Sequence, residues 1–279
     1  MSNAAVRRPF ADAHVLKDLG GGRFRADLDD VWAIGSKAFG GLLMVLAAKA
    51  GLARLAAAGA SAPGRAPLEP LAVSADFLRA PDLRPVELTA EPLKTGRTIS
   101  SCAVRLVQDG RPMLHATVTG GALPASEPRW DTASTLDPEP GADALDPADQ
   151  PGPRGVADAC DMRFPPGAVP FIRGETGPPE MSGWVRPRGE EPDVLFALLA
   201  GDILPPTVFN LGGQFGWAPT VQLTALLRGR PAPGWLRVES RARTIVDSQF
   251  DEDVTVVDST GRTVCQARQL ALAPQVRDA

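Results

Sequence analysis

The strongest constraint on the fold is an internal repeat, because both halves of the chain end in the same pattern. Residues 86–124 and residues 236–274 each read as three successive β-strands separated by turns. The glycine of the turn Asp109-Gly110-Arg111 lies 151 positions before the glycine of Thr260-Gly261-Arg262. A repeat of this length indicates two copies of one domain and not a solenoid of short units.

Each half is also predicted to begin with one apolar helix. The first, at about 39–58, is apolar nearly all round and is therefore expected to be buried. It opens with Gly40-Gly41, and two poor helix formers there suggest a close backbone approach. The second runs over about 192–203, before Pro205-Pro206 interrupt it. The predicted fold class is α+β, with two tandem repeats, each a long antiparallel sheet wrapped around one central helix.

The segment from about Pro124 to Gly155 has the weakest folding signal in the chain. It is dense in Pro, Gly, Asp and Ala, and such a composition buries too little apolar surface to offset its conformational entropy. We therefore predict an N-terminal domain at 1–124, a Pro/Gly-rich linker at 125–155 and a C-terminal domain at 156–279.

Composition excludes several classes of protein. The net charge of −4 gives no basic surface for nucleic acid. Three scattered cysteines show no C-x-x-C spacing, which argues against a disulfide framework or a zinc site and fits a reducing cytosol. The two histidines, His14 in a predicted N-terminal tail and His115, leave little room for a His-based metal site, and no G-x-S-x-G motif is present. We expect a cytoplasmic protein without metal or cofactor.

No membrane span is predicted. The longest apolar stretch, at 39–59, is interrupted by Lys49 and Arg54, whereas a span needs about twenty nearly uncharged apolar residues. The N-terminal residues 1–13 lack an apolar signal core. The stretch is therefore interpreted as a buried helix.

Short motifs recur along the chain in a specific order. In the first half they are Trp32, Phe39-Gly40-Gly41, Asp76-Phe77-Leu78-Arg79, Thr95-Gly96-Arg97 and Val107-Gln108-Asp109-Gly110-Arg111; in the second they are Gly183-Trp184-Val185-Arg186, Gly201-Asp202, Ala218-Pro219-Thr220 and Ala267-Arg268-Gln269. Together they resemble the acyl-CoA thioesterase II (TesB-like) family of double hot-dog proteins. The resemblance covers about 24–124 and 160–274. The His that often precedes the Phe-Leu-Arg segment in relatives is absent here.

The resemblance implies a double hot-dog fold, an acyl-CoA substrate and a catalytic trio of Asp, Thr and Gln. Matched residue by residue, the trio falls on Asp202, Thr220 and Gln269. The implied reaction is hydrolysis of fatty acyl-CoA to free acid and CoA by direct attack of water, with Asp202 as general base. As a further hypothesis, the N–H of Gly41, with Gly40 nearby, binds the substrate oxyanion at the start of the first helix.

Other interpretations stay open. The same fold could serve an acyl-CoA or lipid-binding protein without turnover, or an enoyl-CoA hydratase or dehydratase that uses His115. Asp202, Thr220 and Gln269 also fit ordinary roles at a helix end and in strands. The oligomeric state is open too: the two halves already pair with each other, but an exposed sheet edge could still join chains into a homo-oligomer.

Three further expectations concern the site. When the two halves are aligned on Gly110 and Gly261, the residue equivalent to Gln269 is the apolar Val118. The polar site residue is thus missing from the first half, which favours one active site instead of two. The acidic run 251–253 is interpreted as a solvated edge or turn. Candidates for contacts with CoA are Arg186, Arg188 and Arg228.

Overall fold

The computed structural model describes residues 8–61, 64, 66–131, 134–149, 155–213 and 215–274. Its strands in the first half are β1 (Lys17–Gly20), β2 (Arg23–Ala26), β3 (Ala33–Ile34), β4 (Lys37–Ala38), β5 (Glu69–Phe77), β6 (Val86–Lys94), β7 (Ile99–Gln108) and β8 (Arg111–Gly121). Those in the second half are β9 (Cys160–Arg163), β10 (Glu180–Pro187), β11 (Thr220–Leu227), β12 (Leu236–Arg241), β13 (Ile245–Val246), β14 (Gln249–Val257) and β15 (Thr263–Leu272).

Four α-helices accompany these strands in the described ranges. They are α1 (Pro9–Ala13), α2 (Gly40–Leu55), α3 (Val156–Ala159) and α4 (Val194–Ala200). A π-helical segment (Ala56–Ala60) extends α2, and short 3-10 helices cover Asp30–Trp32, Pro147–Asp149, Pro170–Arg173 and Thr207–Leu211. The second central helix is shorter than predicted, because Asp193 caps it by accepting from the Phe196 amide and the helical ladder ends at Ala200.

The strands outside the small β3–β4 hairpin form one antiparallel sheet with the two halves side by side. Its order is β1-β2-β6-β7-β8-β5 for the first half, followed by β11-β15-β14-β12-β10-β9 for the second, with β13 on β14. The predicted architecture of two tandem antiparallel sheets, each packed around one helix, is therefore confirmed. It is the double hot-dog arrangement that the sequence resemblance implied.

The halves join where β5 pairs with β11. At the centre of this seam Ser74 lies opposite Thr224, and their hydroxyl oxygens are 2.8 Å apart. Strand pairing continues outward from the seam in the same order in each half, through β8 and β7 on one side and through β15 and β14 on the other. The halves can therefore be compared position by position through the register.

That register relates the two halves at the predicted site. On the neighbouring strand away from the seam, Val118 pairs with Cys102 in the first half and Gln269 pairs with Glu252 in the second. Their inner partners, on the two strands of the seam, are Val73 and Leu223. The structure thus confirms Val118 as the counterpart of Gln269 and makes Cys102 the counterpart of Glu252.

Helix α2 forms the centre of the first half. Its residues from Leu42 to Ala48 are all buried, which follows from an apolar composition on every face. Its segment Gly40–Ala60 is long and apolar enough to cross a membrane by length and composition. In the structure it packs against β6, β7, β8 and α4, so we place it in the protein core.

The N-terminal segment is not the simple tail that the sequence suggested. Phe10 in α1 is buried and packs against Trp32 and Phe196, so it contributes to the core of both halves. His14 follows this helix and contacts the Phe10 ring, and its Nδ1 lies 2.8 Å from Lys49 Nζ. Burial and the nearby Lys49 lower the pKa of His14.

The segment predicted to link the domains has little regular structure, but its described residues are attached to the second half. Asp131 accepts hydrogen bonds from the Thr263 amide and hydroxyl. The carbonyl oxygens of Leu136 and Asp137 accept from Arg237 and from the Trp184 indole N–H. Hydrogen bonds to the folded half thus offset the ordering cost that the composition implies.

Candidate active site

A cavity of about 570 Å³ lies between the two halves. Its walls are mostly apolar, and both halves contribute aromatic residues to them. Representative lining residues are Phe39, Phe77, Phe164, Phe209, Trp217 and Phe250. Asp202, Thr220, Glu252 and Gln269 are among the polar residues that line the same cavity. A concave apolar pocket with a few convergent polar groups is typical of a small-molecule site.

The structure brings Asp202 from the second half against the start of α2 from the first. An ideal Cβ added to Gly40 would lie 2.8 Å from Asp202 Oδ2, and one added to Gly41 would lie 3.1 Å from the Leu199 carbonyl oxygen. The two glycines therefore permit the close backbone approach that the sequence predicted. The Gly41 amide lies near enough to the Asp202 carboxylate for hydrogen bonding from it to oppose the rise in the pKa of Asp202. Amide groups in the first turn of a helix have no partner within the helix and are free to interact in this way.

This pairing bears on the predicted oxyanion donor. The Gly41 amide interacts with Asp202, so the carboxylate would compete with a substrate oxyanion for that N–H. Gly40, without a side chain, keeps the cavity open next to Asp202 Oδ2.

Asp202 has an unusual proton affinity for an aspartate. Burial and repulsion from the Glu252 carboxylate raise its pKa from 3.8 to about 7, and hydrogen bonding from the Gly41 amide opposes this rise. Burial makes the largest contribution to this rise in pKa, because removing a carboxylate from water penalises its charged form. A carboxylate with a pKa near neutral pH is well matched to accept a proton from water.

Thr220 and Gln269 are in direct contact. The Thr220 hydroxyl donates to Gln269 Oε1 at 2.7 Å, and Gln269 Nε2 donates to the Glu252 carboxylate. The other carboxylate oxygen of Glu252 accepts from the Thr207 amide at 2.6 Å. The described part of the chain thus forms a continuous hydrogen-bonded row, Thr220–Gln269–Glu252–Thr207, along one wall of the cavity.

Glu252 is the residue that the sequence interpretation missed, and the prediction of a solvated edge for the acidic run was wrong for it. The run lies in β14, an interior strand, and Glu252 is 3% exposed. Its neighbours Asp251 and Asp253 face outward and pair with Arg268. Alternation along Phe250, Glu252 and Val254 was the available signal, because period two places all three on the core face.

Neither histidine is present among the described residues that line the cavity. His115 lies on β8, and its Nδ1 is 4.0 Å from Asp76 Oδ2. Of the arginines suggested for CoA, Arg186 and Arg188 pair with Asp161 on the far edge of the sheet, where Arg186 also stacks on Trp235. Among the described residues that line the cavity, the arginine is Arg79, which is exposed.

A double hot-dog fold with a half-buried acid at a cavity between its halves fits an enzyme that acts on thioesters. Comparison with known proteins gives the same result. Residues 28–121 match the model of the acyl-CoA thioesterase N-terminal domain, and residues 133–273 match that of the acyl-CoA thioesterase C-terminal domain.

The chain is 40% identical over 272 residues to an uncharacterized protein of Mycobacterium tuberculosis, covering 90% of this chain and 91% of that one. A crystal structure assigned as a thioesterase II from Thermobifida fusca is 31% identical, covers 98% of this chain and 99% of that one, and has a TM-score of 0.83. A hot-dog protein of unknown function from Alicyclobacillus acidocaldarius has a TM-score of 0.81 at 22% identity, covering 97% and 99% of the two chains. The chain belongs to the acyl-CoA thioesterase family, and it is a thioesterase.

Proposed function

We propose that this thioesterase hydrolyses fatty acyl-CoA by direct attack of water, with Asp202, Thr220 and Gln269 as its catalytic residues. The observation that carries the proposal is the Asp202 carboxylate, whose pKa is raised to about 7 at the wall of an apolar cavity. The Thr220–Gln269 hydrogen bond lies along the same cavity.

In the proposed reaction Asp202 takes a proton from water while the water oxygen forms a bond to the thioester carbonyl carbon. The tetrahedral intermediate then collapses with cleavage of the C–S bond, and the thiolate of CoA takes up the proton from Asp202. The products are a carboxylic acid and CoA, so atoms and charges balance. The Thr220 oxygen would hold the water by accepting a hydrogen bond from its second O–H.

The apolar lining supports a fatty acyl chain as the buried part of the substrate, since an apolar chain gains about 0.8 kcal/mol per CH₂ removed from water. Gly40 would border the thioester because its missing side chain leaves room beside Asp202 Oδ2. Gly41 would stabilise the ionised base through its amide. Arg79 at the exposed rim is suited to the phosphates of CoA.

Two other activities have weaker support. A hydratase would need a histidine at the cavity, and His115 is not among the described lining residues. A binding protein without turnover has no need of a half-buried carboxylate with a raised pKa, which costs stability without a proton-transfer role.

The test is release of free thiol from a panel of acyl-CoAs, short to long and straight to branched, with Asp202→Asn alongside. We expect turnover that falls by about 10²- to 10⁴-fold in the variant, because it lacks the general base. A matched control is Asp247→Asn, in an exposed turn with a positive φ that Asn also adopts. Turnover that survives in Asp202→Asn would refute the site, and binding without thiol release across the panel would refute the hydrolysis.

A further inference from the structure

Glu252 is a buried carboxylate that the proposed reaction does not use. It is 3% exposed and accepts from the Thr207 amide with one oxygen and from Gln269 Nε2 with the other. Burial raises its pKa, and the hydrogen bonds from Thr207 and Gln269 oppose that rise. A buried carboxylate is costly even when it is hydrogen-bonded, so its presence calls for an explanation.

The first half of the chain shows that the fold does not need this carboxylate. Register places Cys102 and Val118 where the second half has Glu252 and Gln269. Both counterparts are buried, and Gly51 of α2 packs closely against Val118. The same strand pairing is thus built with apolar side chains in one half and with a carboxylate–amide pair in the half that carries Asp202.

The chemistry of the row fixes its direction. Gln269 Nε2 faces the Glu252 carboxylate and donates to it, which is the arrangement that an ionised carboxylate requires because it only accepts hydrogen bonds. Gln269 Oε1 then faces Thr220 and accepts a hydrogen bond from its hydroxyl, with 2.7 Å between the two oxygens. Because the Thr220 hydroxyl uses its one hydrogen to donate to Gln269, its oxygen can act only as a hydrogen-bond acceptor toward the cavity.

We propose that Glu252 is a positioning residue that sets the direction of the Thr220–Gln269 hydrogen bond, and so makes Thr220 an acceptor for the attacking water. This inference rests on the proposed hydrolysis. Water held between two acceptors, Asp202 and Thr220, presents its oxygen lone pair to the thioester carbon. If the row ran the other way, the Thr220 hydroxyl proton would point into the cavity and compete for the same lone pair.

Glu252→Gln is the direct test because it preserves shape and reverses the row. The Thr207 amide requires the carbonyl oxygen of the introduced amide group, so the NH₂ of that group faces Gln269. The Gln269 amide then turns over and donates to Thr220. Every group stays hydrogen-bonded, and the variant loses a buried charge, so we expect it to fold with an unchanged or higher Tm.

We expect kcat of Glu252→Gln at its high-pH plateau to fall about 10- to 100-fold, the loss typical of removing a partner that orients a functional side chain. The plateau is compared because neutralising Glu252 also moves the titration of Asp202. The exposed Glu87 on β6 gives the matched control Glu87→Gln, which is expected to keep wild-type kcat and KM.

Two further variants separate direction from simple damage. In a Thr220→Ala background, Glu252→Gln is expected to have no further effect on kcat, because its influence passes through the Thr220 hydroxyl. Exchanging the pair, Glu252→Gln with Gln269→Glu, restores the original direction, since the carboxylate then at position 269 accepts both from Thr220 and from the amide at position 252. We expect this exchanged pair to recover most of the lost kcat. If Glu252→Gln alone does not fold, the kcat of this exchanged pair still tests the proposal.

Several results would overturn the inference. A wild-type plateau kcat in Glu252→Gln, a full additional loss in the Thr220→Ala background, or a folded but inactive exchanged pair would each refute the positioning role while leaving hydrolysis intact. Absence of thiol release by the wild-type chain across the acyl-CoA panel would instead refute the proposed function, and this inference with it.

Discussion

The raised pKa of Asp202 has a consequence for stability that can be measured without any substrate. A carboxyl group with a higher pKa in the folded chain than in the unfolded chain binds its proton more tightly when folded. The free energy of unfolding therefore falls as pH rises from the ordinary pKa of 3.8 to the folded value of about 7. At about 1.4 kcal/mol per pKa unit, the ionised carboxylate destabilises the fold by at most about 4 kcal/mol.

Replacing Asp202 by Asn removes this penalty, and the Asn carbonyl oxygen can still accept the Gly41 amide. We expect the variant to be more stable than wild type, with a difference that grows by about 2 to 3 kcal/mol between pH 5 and pH 8. For a chain of this size that growth corresponds to about 5 to 10 °C in Tm.

The assay is thermal and denaturant unfolding of both proteins over this pH range, read as the difference between them. Taking the difference removes the background slope from acids that do not interact with Asp202. Glu252 does interact with it, so the change in the Glu252 titration remains in the difference. The control Asp247→Asn is expected to follow wild type at every pH. A difference that does not change with pH, or a variant less stable than wild type at pH 8, would show that the carboxylate is not destabilised by burial and would refute the reasoning.

Two other predictions follow from the same geometry. The kcat/KM of the wild type is expected to rise with pH through an apparent pKa near 7, because Asp202 acts in its ionised form. In Glu252→Gln the midpoint of this rise is expected at lower pH, because repulsion from Glu252 raises the Asp202 pKa. A midpoint that does not move would contradict this electrostatic coupling. Gly40→Ala would place a Cβ 2.8 Å from Asp202 Oδ2 and is expected to lower kcat by at least about tenfold. Gly167→Ala, where a Cβ meets nothing within 4 Å, is its control, and equal activity of the two variants would exclude a tight approach at Gly40.

The asymmetry of the two halves fits a duplicated fold with one proposed catalytic wall. Where the second half has Glu252 and Gln269, the first has Cys102 and Val118, and burial raises the pKa of the Cys102 thiol to about 11. A neutral thiol beside a valine cannot orient or activate water. The first half instead contributes the start of α2, which meets Asp202 across the boundary between the halves.

The sequence by itself determined the elements that depend on neighbours along the chain. Alternating and continuous apolar patterns predicted the strands and both central helices, and the repeat predicted two similar halves. The glycine pair predicted a close approach at the start of α2, which the structure confirms. These features follow from local periodicity and backbone preference, which are the same wherever the segment is placed.

Only the tertiary structure decided the electrostatics of the candidate site. The Asp202 pKa depends on burial, on Glu252 from β14 and on Gly41 from the other half, three contributions from distant parts of the chain. Nor could the acidic run 251–253 alone show which of its three carboxylates turns inward, because that depends on which face of β14 the core covers. Desolvation and charge repulsion act through space, so they are fixed only when the two halves meet.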